Sequence, residues 1–161
     1  AVGSIAGFAR ALPRLAAAPR EPAVRSEALE AAYLAGASLA EAAMGLHHKI
    51  CHVLGGRGMP HAPTHAALLP HVVRFNREAA PAAMARIANA LGTSDAAAGI
   101  VALAAATHAP SGLASLGLPR DAVDEVVRDV LAAAPPNPRP LDAPSLRALL
   151  LEALEETHAP A

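Results

Sequence analysis

The chain has 161 residues, 53% of them hydrophobic, and a formal net charge of −1. That length and apolar share suit one domain with a real core, and twelve dispersed Arg with a single Lys give no basic patch for nucleic acid. Cys51 is the only cysteine, so no intrachain disulfide can form and a cytoplasmic setting is expected; no apolar run reaches the roughly 18 residues of a membrane span.

In chain order, the first predicted helix covers Ser4 to Ala17, with Ile5, Phe8, Leu12 and Leu15 on one face and a kink or break at Pro13. The N-terminal segment is free of acids and carries Arg, as transit peptides do, but reads better as an amphipathic helix. After the connection APREPAVRS, a long helix is expected from Ser26 to Leu54, ended by Gly55-Gly56. It is apolar almost all round, so it should be buried, with Leu34 in the core. His47, His48 and His52 should then lie on its last turns. A Gly- and Pro-rich loop leads to a helix from Thr64 to Phe75 that contains Pro70. Further helices are expected at Ala80–Leu91, Ser94–Thr107, Pro119–Ala133 and Ala143–Glu156, the last signalled by Asp142 before Ala143-Pro144. The proline-rich AAAPPNPRPLDAP must be an extended connector. No segment alternates with period two, so the fold class is all-α, a multi-helix bundle of Ala- and Leu-rich helices.

Function is written in the histidines. Six of the eight (His47, His48, His52, His61, His65 and His71) fall within GLHHKICHVLGGRGMPHAPTHAALLPHVV, with only His108 and His158 beyond. Imidazole is the commonest metal ligand and the commonest acid–base group near neutral pH. His48 and His52 are four apart, so they share a helix face, while His47 is turned by about 100° and should point elsewhere. The chain can double back after the glycines to present His61 and then His65. Two helix-borne histidines and one or two from the loop could converge on a common centre suited to Zn, Fe, Ni or Cu, though no carboxylate lies in the cluster and the HExxH spacing is missing. His71, within LLPHVV, reads as structural, His108 and His158 as incidental, and Cys51 as an inert core thiol.

The run from His48 through His52, Gly55-Gly56 and Pro60-His61 to Leu69-Pro70-His71-Val72 resembles the signature of the iron-containing, or group III, alcohol dehydrogenases. Within that family, LHHKICHVLGG, MPHAPTHAALLPH and the connector Asn137-Pro138-Arg139-Pro140 are most similar to the maleylacetate reductases. The resemblance implies that residues 1–161 form the helical C-terminal domain of a dehydroquinate synthase-like fold, the nucleotide-binding domain lying outside this chain. It implies metal ligation, by Fe or Zn, at His48 and His61; proton transfer at His52 beside the nicotinamide; and contact with the substrate carboxylates at His65. It also implies NADH or NADPH as cofactor, a small dicarboxylate substrate, and a homodimer when complete. The Asp-x3-His pair that supplies the family's other ligands is not found before His48; the first Asp is Asp95, and the chain opens on Ala1, which reads as processing or a cut from something longer. Two other readings stay open: a non-enzymatic helical module that binds a divalent metal or pairs with another chain, and a group III dehydrogenase with a different substrate.

Overall fold

A computed structural model describes residues 1–155. His158 and the end of the last expected helix lie outside the described residues. Among the described residues there are eight α-helices and no strand: α1 Val2–Ala17, α2 Pro22–Ala40, α3 Leu46–Gly56, α4 His61–Phe75, α5 Pro81–Leu91, α6 Ala96–Ala106, α7 Val123–Ala132 and α8 Ala143–Leu154. A single 3-10 turn at Arg120–Ala122 precedes α7. The all-α expectation holds.

The long Ser26–Leu54 helix does not form. The chain leaves helix after Ala40 and re-enters it at Leu46, with Gly45 extended at the N-cap. Glu41, Ala42, Ala43 and Met44 are good helix formers, and Gly45 is the one poor former in the break. A Cβ on Gly45 would stand 3.2 Å from the carbonyl oxygen of Pro136, so the proline connector passes directly over this corner. Nor is α2 buried on most sides. Only Val24 and Ala31 are buried in it, while Leu29, Tyr33 and Leu34 are 68%, 75% and 37% exposed. Leu34 is therefore not a core residue. The buried face of α2 meets α1 at small side chains. The hydroxyl of Ser4 donates to the carbonyl of Ala31, and a Cβ on Gly7 would fall 2.8 Å from that of Ala31. Helix α1 runs unbroken through Pro13.

Helix α4 is the shared wall. On one side it packs against α3 and α8, which with α7 enclose the main core of Ile50, Leu54, Leu68, Val126, Leu146 and Leu150. On the other side it packs against α6, which with α1 and α5 forms the second half, and α2 lies outside on α1. The stretch Pro81–Ala106 has the length and hydropathy of a membrane span, which the sequence reading did not anticipate. The fold divides it: Gly92, at φ 72°, ends α5, and the Asp95 carboxylate accepts from the N–H of Ala98 to start α6. Each piece has 11 residues, about 16 Å of helix, against a hydrocarbon core of about 30 Å.

Candidate active site

Histidines 47, 48 and 52 sit on the first two turns of α3, not on the last turns of a longer helix. The loop that follows returns the chain tightly. Gly58, at φ 87°, occupies the left-handed position. Its N–H bonds the carbonyl of Gly55, and the N–H of Met59 bonds that of Leu54. That 5→2 and 6→1 pair is a Schellman stop with a buried apolar residue after it, here Met59. The stop is thus Gly58, where the sequence reading assigned it to Gly55-Gly56. Pro60 then caps α4, so His61 is its first residue and His65 stands one turn further on.

The turn lays the start of α4 against α3, and His65 becomes the hub of the array. Its ring centroid is 4.4 Å from that of His61, 4.9 Å from His47 and 5.0 Å from His48. His48 in turn lies 6.1 Å from His52, in the edge-on arrangement that the four-residue spacing gives. His48 and His61 each meet the ring of His65, and His52 and His61 are exposed at the rim. His47 does not point away. Its Nε2 donates to the carbonyl oxygen of His65 at 3.0 Å, and its ring meets that of His48 at 5.8 Å. The 100° rotation is real, but the face it selects is the one that α4 covers. Reasoning from α3 alone could not include that neighbour.

The electrostatics follow from packing imidazoles together. Burial, and then the rings of His47, His61, His48 and His52, push His65 down to about 4. Burial also lowers His47, against the opposing effect of its bond to the His65 carbonyl. Burial pushes the Cys51 thiol up to about 12. Near pH 7 the centre of the array is therefore neutral imidazole, able to donate one proton and accept another. The Nε2 of His65 is buried without a hydrogen-bond partner. His71 lies further along α4, 3% exposed and held down to about 4 by burial and then Arg74; it is a core residue. His108 is far along the sequence at an exposed left-handed position, φ 53°.

One feature was missed from the sequence. Asn76, 7% exposed just past α4, trades amide hydrogen bonds with Asn137 of the connector: Nδ2 to Oδ1 at 2.9 Å one way and 2.7 Å the other. The pair anchors the connector whose Pro136 carbonyl abuts Gly45, at the start of the histidine helix. In the sequence the partner shows only as Asn137 in the Asn137-Pro138-Arg139-Pro140 connector, and the burial of Asn76 is set by the packing.

Residues 1–154 match the Fe-containing alcohol dehydrogenase family, C-terminal. The chain belongs to this family. Among curated relatives it is 42% identical over 153 residues to maleylacetate reductase from Sphingobium indicum and 44% identical over 153 residues to that from Burkholderia cepacia. Each match covers 94% of this chain but only 44% and 43% of the relative, so the chain spans less than half their length. Among solved structures, the iron-containing alcohol dehydrogenase from Corynebacterium glutamicum superposes with a TM-score of 0.93 at 41% identity, covering 98% of this chain and 45% of that one. Maleylacetate reductase from Agrobacterium tumefaciens gives 0.91 at 40%, covering 95% and 44%.

The family name implies iron. The donors here fall short of a complete site. The array holds no carboxylate, and Asp95 is engaged as the cap of α6. Among the described residues, the group of three or more donors that draws together is His47, Cys51 and His65, which omits both His48 and His61. These residues alone do not assemble an iron site with a hard oxygen ligand.

Proposed function

We propose that this chain is the helical C-terminal part of a cytoplasmic NAD(P)H-dependent maleylacetate reductase, which saturates the carbon–carbon double bond of 2-maleylacetate to give 3-oxoadipate in aromatic-compound breakdown. The observation that carries the reading is the His48–His52–His65–His61 array, on a chain about 40% identical to maleylacetate reductases over nearly all its length. In this reading residues 1–161 are a single domain that closes one wall of the active cleft, a nucleotide-binding domain supplies the other, and the complete enzyme is a homodimer. Alone, the chain is inactive.

NADH or NADPH, when bound, supplies the hydride. His52, exposed at the rim one turn from His48, gives the accompanying proton from its protonated ring to the substrate carbon that the hydride does not attack, and the neutral imidazole left behind takes a proton back from solvent. His65, kept neutral by burial and then by its neighbours, donates a hydrogen bond to a substrate carboxylate without carrying charge. His48 and His61 are two imidazole donors for a divalent ion, Fe or Zn, in an assembly where the remaining donors come from elsewhere; no step of this scheme runs through that ion. The test joins this domain to its nucleotide-binding partner and follows maleylacetate reduction. His52→Ala should lower kcat by roughly 10²–10⁴ while the dissociation constant for the nucleotide stays put. A kcat within a few-fold of the parent, with only a lower melting temperature, refutes the proton-transfer role. Turnover of simple alcohols but not maleylacetate by the parent protein assigns it instead to another substrate of the same family.

A further inference from the structure

We infer that the α3–α4 crossing carries a second ion site, distinct from the His48–His61 pair, in which His47, Cys51 and His65 bind a soft, thiophilic cation such as Zn(II). The ligand atoms of the three lie within 4.8 Å of one another. His47 and Cys51 are four apart on α3, and the Cys51 sulfur is 3.9 Å from His47 Nε2. His65 reaches across from α4, its ring 4.9 Å from that of His47. A separate observation also points to a missing partner: the Nε2 of His65 is buried and makes no hydrogen bond, a condition that native interiors rarely tolerate. With zinc–nitrogen distances near 2.0 Å and zinc–sulfur near 2.3 Å, tetrahedral ligand edges are roughly 3.5 Å. The three side chains need to close by about an ångström, within the reach of small side-chain rotations about the ion.

The donor set selects the metal. One thiolate and two imidazoles with no hard oxygen suit Zn(II) and disfavour Mg(II), Ca(II) and Mn(II). The exchange balances simply. The thiol proton of Cys51 leaves to solvent as the sulfur–metal bond forms. His47 moves its proton from Nε2 to Nδ1, giving up its bond to the His65 carbonyl and exposing the Nε2 lone pair. The fourth position stays open to water, as in three-ligand zinc sites. Binding has a consequence for the array: it holds the His65 ring on the Cys51 side, withdrawing the imidazole that links His48 to His61. The site rests on the packing of α3 against α4 and not on the proposed reaction, so either can fail alone.

The experiment titrates Co(II), as a spectroscopic stand-in for zinc, into the 161-residue chain under reducing conditions. The expected result is a near-ultraviolet sulfur-to-cobalt charge-transfer band with tetrahedral visible bands, discharged by Zn(II). The charge-transfer band should vanish in Cys51→Ala, and the Co(II) dissociation constant should rise about ten-fold or more in His47→Gln and in His65→Asn. It should persist in His48→Gln and His61→Gln, which separates this site from one built on those two residues. Absence of the thiolate band in the parent chain overturns the proposal. So does a band whose affinity is unchanged in both His47→Gln and His65→Asn. Those two substitutions lie outside the apolar core, so circular dichroism should show them folded even if Cys51→Ala is not.

Discussion

Breaking the Asn76–Asn137 amide pair should do two things at once: lower global stability and loosen the start of the histidine helix. Asn76→Ala removes two reciprocal bonds of 2.9 and 2.7 Å and two longer ones, at 3.2 Å from Nδ2 to the carbonyl of Val72 and at 3.4 Å from the N–H of Arg139 to Oδ1. At about 1 kcal/mol net for each good bond, and less for the longer ones, the loss is roughly 2–3 kcal/mol. Little is added for the partner left behind, because Asn137 is half-buried and its Nδ2 still donates to the carbonyl of Arg139 at 2.7 Å. The converse change, Asn137→Ala, should cost at least as much, since it strands the amide of the more deeply buried Asn76. Urea melts of the parent, both single variants and the double variant close a cycle, and the coupling energy should be about 1.5–2 kcal/mol. The second effect is local. With the connector released, the Pro136 carbonyl no longer braces Gly45, and the first turn of α3, where Lys49 N–H bonds Gly45, should open more often. Amide exchange at Lys49 should therefore accelerate beyond the change at Leu68 in the core. A coupling energy below about 0.5 kcal/mol, or exchange that rises equally everywhere, refutes the latch.

Other expectations concern stability and pH. His71 is held neutral, at about 4 in the folded chain against 6.5 as its ordinary value. The unfolded state then binds the extra proton, and stability falls as pH drops from 6.5 to 4; the loss approaches roughly 3 kcal/mol at the acid end. The difference in unfolding free energy between parent and His71→Leu should track that window, and a pH-independent difference refutes the assignment. Gly58→Ala forces a Cβ into the left-handed region at φ 87°, so thermal melts should show a loss of about 1–2 kcal/mol. Leu68→Ala, at a wholly buried position on α4, should cost about 2–5 kcal/mol. Tyr33→Asp, on a side chain 75% exposed, should cost under about 1 kcal/mol in the same melts.

The fold class and most helix ends were legible because their signals are local. Asp142 before Ala143-Pro144 places the start of α8, and its carboxylate does accept from the N–H of Ser145 at 2.8 Å. The α2–α3 break was not legible, because Gly45 and Pro136, which meet there, are far apart in sequence, and a single Gly after Glu41-Ala42-Ala43-Met44 is a weak local signal. The same limit hid the exposure of α2. Its apolar residues point in almost every direction, among a few charged ones, so the pattern could not say which face is covered. In the histidine cluster, the i, i+4 pairing of His48 and His52 could be read from one helix, but the inward seat of His47 required knowing that the His65 carbonyl arrives from α4. The family resemblance reached further than the periodicity, because LHHKICHVLGG reports a shared history that local physics does not encode.

Helix α4 carries His61 and His65 in its first turns, ends beside Asn76, and is walled by both halves of the bundle. Neither half can finish its core before this one helix is in place. The two halves should consequently melt together as one cooperative unit, although the α1–α2 pair, joined by a short turn, can assemble early on its own. For anyone redesigning the protein, this makes α4 the least forgiving stretch. A substitution there made to retune the imidazoles will also be felt in how the whole molecule folds, while α2 will absorb change quietly.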